Sequence, residues 1–352
     1  MIDASPLEID GRMGEGRGQV LRTTHRRAAL TGRPLRLTHV RANRQKPGLR
    51  PQHLTAVRAV ARLCGAALTG DAVNSRTLEF RPAMPPQPGV YDFGVTDAAQ
   101  GGSAGAIMLV FQAVLWPLLF AGGPSRLTLR GGTHVPMSPP WHYVAHVAGP
   151  AFARLGARFT TELRAWGWYP AGGGEVTAEI QPAARLEAVP FAHIPPERVE
   201  GVAAVTNLPA DIPQRMAGRA TNLLSAAGLS SRIEPRREKG RGPGAGIFLW
   251  LPQGGFSSVG RPGLPSEKVA EAAVAELLAF VDNGATVDRH LADQLLLPLA
   301  LAHGRARYTT DHLTLLTTTS AALLRLSLVV RSAISGDLGQ PAEIDVTGIG
   351  YS

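Results

Sequence analysis

Three stretches of this chain share one design, in which a polar or glycine-rich start runs directly into an apolar helix. They cover residues 52–64, 102–120 and 290–302. Each would set a helix N-terminus at a sheet edge, where its unpaired N–H groups and the positive end of its dipole can hold an anion. Helix-then-strand pairs recur around them: residues 20–30 before 34–40, 143–155 before 157–163, and 319–326 before 327–331. This recurrence predicts an α/β fold of α+β repeats, roughly three copies of a unit of strands and paired helices, rather than one doubly wound sheet.

Residues 185–278 break the pattern. They open on Pro190, Pro195 and Pro196 and carry their own signals, with strands at 201–207 and 246–251 and helices at 215–227 and 266–281. Ser266 is placed to cap the last of these. The expected organisation is a large domain from 1–184 and 279–352, interrupted by a smaller α/β subdomain at 185–278. Within the insert, residues 236–242 form a basic glycine-rich loop, open to two readings: a phosphate-contacting arm or a solvated mobile turn.

Lys and Arg number 36 against 27 Asp and Glu, a formal charge of +9. Such an excess favours polyanionic partners, nucleotides and nucleic acids above all, although an arginine-rich proteome gives the same total. Cys64 is the single cysteine, which excludes an internal disulfide framework and a cysteine-based zinc site. Residues 2–17 are charged and glycine-rich rather than apolar, so no secretory signal is expected and a cytoplasmic location is. The apolar run at 104–120 contains Gln112 and Pro117 and is short for a bilayer; a helix buried between protein layers accounts for it, and no membrane association is expected.

Two textual motifs mislead. Residues 101–105 spell a nucleophile elbow, but the polar residues before them do not make the apolar strand an elbow needs. Residues 240–246 spell a glycine loop outside any dinucleotide-binding unit. No Walker lysine follows a glycine loop, so a nucleotide would be held some other way. The informative segment is Asp10-Gly11-Arg12-Met13-Gly14-Glu15-Gly16-Arg17-Gly18-Gln19-Val20-Leu21-Arg22. Its glycines let backbone amides approach an anion, and Glu15 and Arg22 add a carboxylate and a guanidinium. About twenty residues on, Arg41 and Arg44 precede a Pro47-Gly48 turn, followed by Gln52-His53. Arginine forks suit bidentate phosphate contacts, and the turn would fix their presentation.

The glycine motif, the R-A-x-R-x-x-P-G-L segment with Gln52-His53, Gly102-Ser103-Ala104-Gly105 leading to Gln112, Gly131-Gly132-Thr133 with Ser138-Pro139-Pro140, Gly167-Trp168-Tyr169-Pro170 with Gly172-Gly173-Gly174, and His290-Leu291-Ala292-Asp293-Gln294-Leu295 together resemble the RNA 3′-terminal phosphate cyclase family. The resemblance implies three repeated units, each a four-stranded sheet with two helices, plus the smaller insert. It implies ATP-dependent conversion of an RNA 3′-phosphate into a 2′,3′-cyclic phosphate by nucleotidyl transfer, a ligase-type reaction of RNA end repair, with a divalent metal (Mg or Mn). A histidine forms a covalent adduct with AMP, which passes to the RNA end before the 2′-hydroxyl closes the ring. RNA 3′ ends and ATP are the implied partners, and a homodimer the implied assembly.

Carried onto this sequence, Glu15 and Asp293 would lie by the metal. Arg22, Arg41, Arg44, Gln52 and His53 would face the phosphates of ATP or the RNA end. Gln112 with His290, Leu291, Ala292, Asp293 and Gln294 would form the ATP site. Without the resemblance, Gln112 reads equally as a paired polar residue in a buried helix, and His290 and Asp293 as ordinary helix-start residues.

The chain departs from the family pattern at one point. The segment of type T-L-H-T-x-T-N, which carries the adenylated histidine, corresponds to Thr314-Leu315-Leu316-Thr317-Thr318-Thr319-Ser320. Leu316 thus occupies the nucleophile position, and leucine has no lone pair to attack phosphorus. His312 is the fallback nucleophile, otherwise an exposed strand-end histidine. If the run is a strand, four residues separate the two positions by roughly 13 Å. Three accounts follow: a cyclase whose nucleophile has moved or been replaced, a cyclase-like RNA-binding protein without adenylylation, or different chemistry on an RNA end.

Overall fold

The computed structural model describes residues 5–14, 18–95, 104–328 and 330–352. The first unit runs β1 (Leu7–Asp10), α1 (Gly18–Thr31), β2 (Leu35–Thr38), α2 (Pro51–Cys64), β3 (Ala67–Thr69) and β4 (Leu78–Arg81), in the sheet order β1-β2-β4-β3. Its first pair is parallel, because α1 crosses between the two strands, and the others are antiparallel. The second unit repeats this topology. It runs β5 (Val90–Gly94), α3 (Ile107–Leu119), β6 (Ser125–Gly131), then α4 (Trp141–Tyr143) continuing through a π-helical turn (Val144–Ala148) into α5 (Gly149–Arg154), and finally β7 (Phe159–Ala165) and β8 (Gly174–Ile180). Its order is β5-β6-β8-β7, again with the first pair parallel.

The inserted unit follows: β9 (Val199–Thr206), α6 (Asp211–Ala226), β10 (Ser231–Glu238), β11 (Gly244–Leu251), β12 (Gly254–Val259) and α7 (Ser266–Asn283), with sheet order β10-β9-β11-β12. Its last helix runs five residues past 278, beyond the expected edge of the insert. Pro265, not Ser266, stands at the N-cap position, so that helix has no side-chain cap; the Ser266 hydroxyl turns instead to the Glu267 carboxylate. Residues 236–238 belong to β10, so the basic run at 236–242 is a strand end followed by a shorter loop.

The third unit has α8 (Arg289–Leu301), β13 (Arg305–Thr310), α9 (Leu315–Leu328), β14 (Arg331–Ser335) and β15 (Ala342–Thr347). Its sheet, β13-β15-β14, has three strands rather than the expected four, and a single parallel bridge from Val287 to Thr310 stands where β1 and β5 stand in the other units. The segment just before α8 is thus reduced to one pairing, while the rest of the βαβαββ plan survives. The strand expected at 327–331 starts later: Ser327 and Leu328 still belong to α9, and β14 starts only at Arg331.

Local chemistry explains the helices. Pro51 starts α2 with φ already helical and no N–H to leave unpaired, and Gly65 closes it in the left-handed region, its N–H donating to the Ala61 carbonyl. Asp288 caps α8 by accepting from the His290 and Leu291 amides. On β6, Leu127 and Leu129 are fully buried while Arg126 and Arg130 alternate outward. Nearly every residue of α3 is buried, among them Ile107, Phe111, Val114 and Leu118, and no helix among the described residues is long and apolar enough to cross a membrane. Each such fully buried side chain stabilises the fold by about 1.5–3 kcal/mol. The three units share one continuous core, the insert has its own, and a smaller aromatic cluster of Trp166, Trp168 and Phe248 joins the insert to the second unit.

Candidate active-site cleft

The starts of α1, α2 and α3 meet beside α8 and α9. Gln52 ties two of them, its side-chain carbonyl accepting the Ala106 amide just before α3 at 3.2 Å. That contact makes Gln52 a brace between helix starts rather than a free phosphate ligand. The third start, at Gly18, lies against His53: a Cβ there would fall 2.7 Å from His53 Nε2 and 3.2 Å from Arg22 Nη1. Only glycine permits this approach. The Arg50 amide donates to His53 Nδ1 at 3.3 Å, so the proton of the neutral ring sits on Nε2, which faces the start of α1. Burial, then the fields of Arg41, Arg22, Arg44 and Arg50, hold His53 well below the usual histidine range. The expected residues Arg22, Arg41, Arg44 and His53 therefore form one basic pocket with Arg50, which motif reading missed although it directly precedes Pro51. Arg41 spends part of its fork on its own turn, donating to the carbonyls of Lys46 at 3.0 Å and Gly48 at 2.8 Å.

A narrow cleft opens between α1, α3, α8 and α9. Its only carboxylate among the lining residues is Asp293. Ser320 Oγ donates to Asp293 at 2.6 Å, and Gln19 Nε2 reaches both its oxygens at 3.4 Å and Ser320 Oγ at 2.8 Å. Burial pushes the Asp293 carboxyl up, opposed by the Ser320 hydrogen bond and by Arg22 and Arg26. Arg22 donates to Gln19 Oε1 at 2.8 Å. Arg26, on the next turn, donates to the carbonyls of Arg22 at 2.7 Å and Gln112 at 3.1 Å. Burial lowers Arg26 to about 9, so it stays charged at neutral pH. Gln112 donates to Gln294 at 2.8 Å across the cleft wall.

The expected ATP-site segment divides. Asp293 and Gln294 line the cleft, whereas Leu291 and Ala292 pack in the core and His290 is exposed, its ring edge-on to Tyr143 with centroids 6.3 Å apart. Successive residues of a helix point in different directions, so a contiguous motif cannot all face one cavity. Asp288 was missed by motif reading: besides capping α8 it accepts from Tyr143 Oη at 2.9 Å and from the Gly255 amide at 2.8 Å, joining α8 to the second unit and the insert. Gln19, Arg26 and Ser320 were also missed. The signal available for the first two was their i, i+3 and i, i+4 spacing to Arg22, which puts them on its helix face.

The Thr-rich run at 314–320 is not a strand. Thr314 precedes α9 and its hydroxyl accepts the Thr317 amide at 3.1 Å, an N-cap contact. Leu316 lies in the first turn of α9, one turn before Ser320 on the same face. His312 lies in the turn between β13 and α9, with Cε1 3.8 Å from where a Cβ of Gly339 would be; it does not line the cleft. The fallback nucleophile is thus not brought to Asp293. Gly14 does reach α9: a Cβ there would stand 1.8 Å from Thr319 Oγ1. Glu15, Gly102 and Ser103 lie outside the described residues. Among the described residues no cluster of three or more His, Cys, Asp or Glu could hold a metal ion; of the two expected metal residues, Asp293 lines the cleft and Glu15 lies outside the described residues.

The arrangement suits a polyphosphate: arginines, a neutral imidazole N–H and three helix starts on one side, and a buried carboxylate with paired amides on the other. Comparison with known families matches residues 13–334 to RNA 3′-terminal phosphate cyclase. A protein of Trichormus variabilis named RNA 3′-terminal phosphate cyclase is 50% identical over 323 residues, covering 90% of this chain and 93% of that one. One of Methylococcus capsulatus with the same name is 48% identical over 321 residues, covering 90% and 89%, and one of Pyrobaculum neutrophilum is 37% identical over 352 residues, covering 98% and 99%. Among solved structures, the enolpyruvyl transferase NikO from Streptomyces tendae aligns with a TM-score of 0.38 at 13% identity, over 99% of this chain and 50% of that one; at that distance it carries no argument. This chain belongs to the RNA 3′-terminal phosphate cyclase family.

Proposed function

We propose that the chain converts an RNA 3′-terminal phosphate into a 2′,3′-cyclic phosphate by ATP-dependent nucleotidyl transfer. One observation carries the reading: the basic pocket around His53 and the Asp293 cleft adjoin through Arg22 and Gln19, in a chain of this family. ATP, when bound, would supply an adenylyl group that turns the terminal phosphate into a mixed anhydride open to attack by the 2′-hydroxyl. The chain's own part is to hold and orient. Arg22 and the His53 Nε2–H would take phosphate oxygens. Arg26, bonded to the carbonyls of Arg22 and Gln112, would fix the two walls at their working separation. Asp293, still able to accept on Oδ2, would take a ribose hydroxyl, and the Gln112–Gln294 pair would border the base. A divalent metal (Mg or Mn), when bound, would be held by Asp293 together with the phosphates of ATP and would offset their charge.

A second reading rests on Leu316. Under it, the chain binds nucleotide and RNA ends but forms no histidine–AMP adduct. Incubation of the chain with a 3′-phosphorylated RNA, ATP and Mg or Mn separates the two, because a cyclic phosphate resists phosphatase and a 3′-monoester does not. Cyclic product supports the first reading. Unchanged RNA, together with retained ATP binding by equilibrium dialysis, supports the second.

A further inference from the structure

We infer that the nucleotides upstream of the RNA 3′ end run as a single strand out of the cleft, over Tyr169 and onto the basic edge of the insert at Arg241 and Lys239. This rests on the RNA-end reading above and extends it to a surface outside the cleft. The path is continuous in backbone contacts. Just before α3, Gly105 accepts the Gly132 amide at 2.9 Å, and Gly132 accepts the Ile107 amide at 3.0 Å. The next residue, Thr133, donates to the Gly167 carbonyl at 2.9 Å, and a tight turn closed by Gly172 N–H on the Trp168 carbonyl at 2.7 Å follows. Tyr169 rides on that turn with 68% of its surface exposed, while the neighbouring Trp166 and Trp168 are buried. The insert touches the same turn: a Cβ on Gly173 would meet Arg241 Cβ at 2.6 Å, and one on Gly242 would meet Ala171 Cβ at 2.5 Å.

The charges along the path select a polyanion. Arg130 in the second unit is neutralised by Asp92 and Glu175, and Arg236 in β10 by Glu234. Lys239 and Arg241, by contrast, are exposed and have no carboxylate within ion-pair distance among the described residues. β10 is an edge strand, yet Pro235 in its middle removes an N–H and its flanks are charged, which disfavours addition of a protein strand. An exposed aromatic next to free cations is what an unpaired base and its phosphates require, since a duplex offers no base face to stack on.

The test is fluorescence anisotropy with an unstructured, 3′-phosphorylated 12-nucleotide RNA, with competition by a 3′-phosphorylated dinucleotide and by inorganic polyphosphate. Tyr169→Ala is expected to weaken 12-mer binding roughly five- to tenfold or more, and Tyr169→Phe to leave it unchanged. Arg241→Glu should weaken both 12-mer and polyphosphate, with a shallower salt dependence for the RNA. The dinucleotide should bind all variants equally. Unchanged 12-mer affinity in both Tyr169→Ala and Arg241→Glu overturns the path, as does equal loss of polyphosphate and RNA on Tyr169→Ala. A wild-type chain that binds the dinucleotide as tightly as the 12-mer also overturns it while leaving the RNA-end reading standing. Failure to bind either RNA removes both.

Discussion

Lowering the pH from 7.5 to 5.5 should destabilise this fold by several kcal/mol, through histidines that folding keeps neutral. His25, His53, His134 and His142 are all buried. Burial lowers His25 and His134 to about 3 and holds His53 and His142 well below the usual range. The neutral forms are built in: Thr133 Oγ1 lies 2.7 Å from His134 Nδ1, and His134 Nε2 lies 2.9 Å from His142 Nδ1, one proton serving the gap between the rings. His142 stacks on Phe248 with ring centroids 4.9 Å apart and planes at 9°. In the unfolded chain each histidine titrates near 6.5. As their folded pKa values are depressed, the unfolded state takes up protons first, and stability falls as pH drops below 6.5. From pH 7.5 to 5.5 each such histidine loses on the order of 1 kcal/mol, so the four together lose several kcal/mol. Asp288 and Asp293, whose carboxyls burial pushes up, pull the other way as pH falls and reduce that sum. The assay is urea unfolding at the two pH values, followed by tryptophan fluorescence, since Trp166 and Trp168 sit beside the His134–His142 pair. His142→Phe, which keeps the stack on Phe248, should flatten the pH dependence by about one proton. An unfolding free energy that does not change between pH 7.5 and 5.5 would refute the reasoning.

Three further outcomes follow from the cleft. Asp293→Asn should leave the thermal midpoint unchanged or raise it, because it removes a charge that burial disfavours, while weakening ATP binding roughly tenfold or more; calorimetry and equilibrium dialysis read the two separately, and a lowered midpoint with intact binding would contradict the assignment. Gly14→Ala should reduce cyclisation more than tenfold, since φ there is +57° and the added Cβ would stand 1.8 Å from Thr319 Oγ1; unchanged turnover would show that this glycine segment does not form part of the site. Leu316→His should increase covalent labelling by α-labelled ATP at least tenfold over the wild type on a denaturing gel, and equal labelling of the two would place any nucleophile elsewhere.

Much of the large domain was legible because its units repeat a polar start followed by an apolar helix, and burial of α2, α3 and α8 demands that pattern. The missing strand before α8 was not legible. A strand reduced to the single Val287–Thr310 bridge leaves no alternating run to read. Of the residues expected in the site, Asp293 lines the cleft and His53 lies beside Arg22 at the start of α1, whereas Leu291 and Ala292 pack in the core, because helical periodicity says which residues share a face without saying which face lines a cavity and which the core. The Thr-rich run at 314–320 misled for a different reason. Its threonines favour a strand by propensity, yet their hydroxyls instead serve the helix, with Thr314 capping the first turn and Thr318 and Thr319 donating back to the Leu315 carbonyl.

That helix bears directly on the vacant nucleophile position. Placing His312 where Leu316 now stands would require sliding α9 by four residues, about one turn. Two contacts hold the present register. Thr319 packs against Gly14 so closely that no side chain fits between them, and Ser320 donates to the buried Asp293 at 2.6 Å. A one-turn slide would set Leu316 against Asp293 in place of Ser320, leaving a buried carboxylate without its hydroxyl partner, a loss of about 1.5–3 kcal/mol for a hydrogen bond to a charged group. It would also draw the Thr314 cap away from the helix start. These contacts favour the register that keeps leucine at this place and leaves His312 outside the lining of the Asp293 cleft.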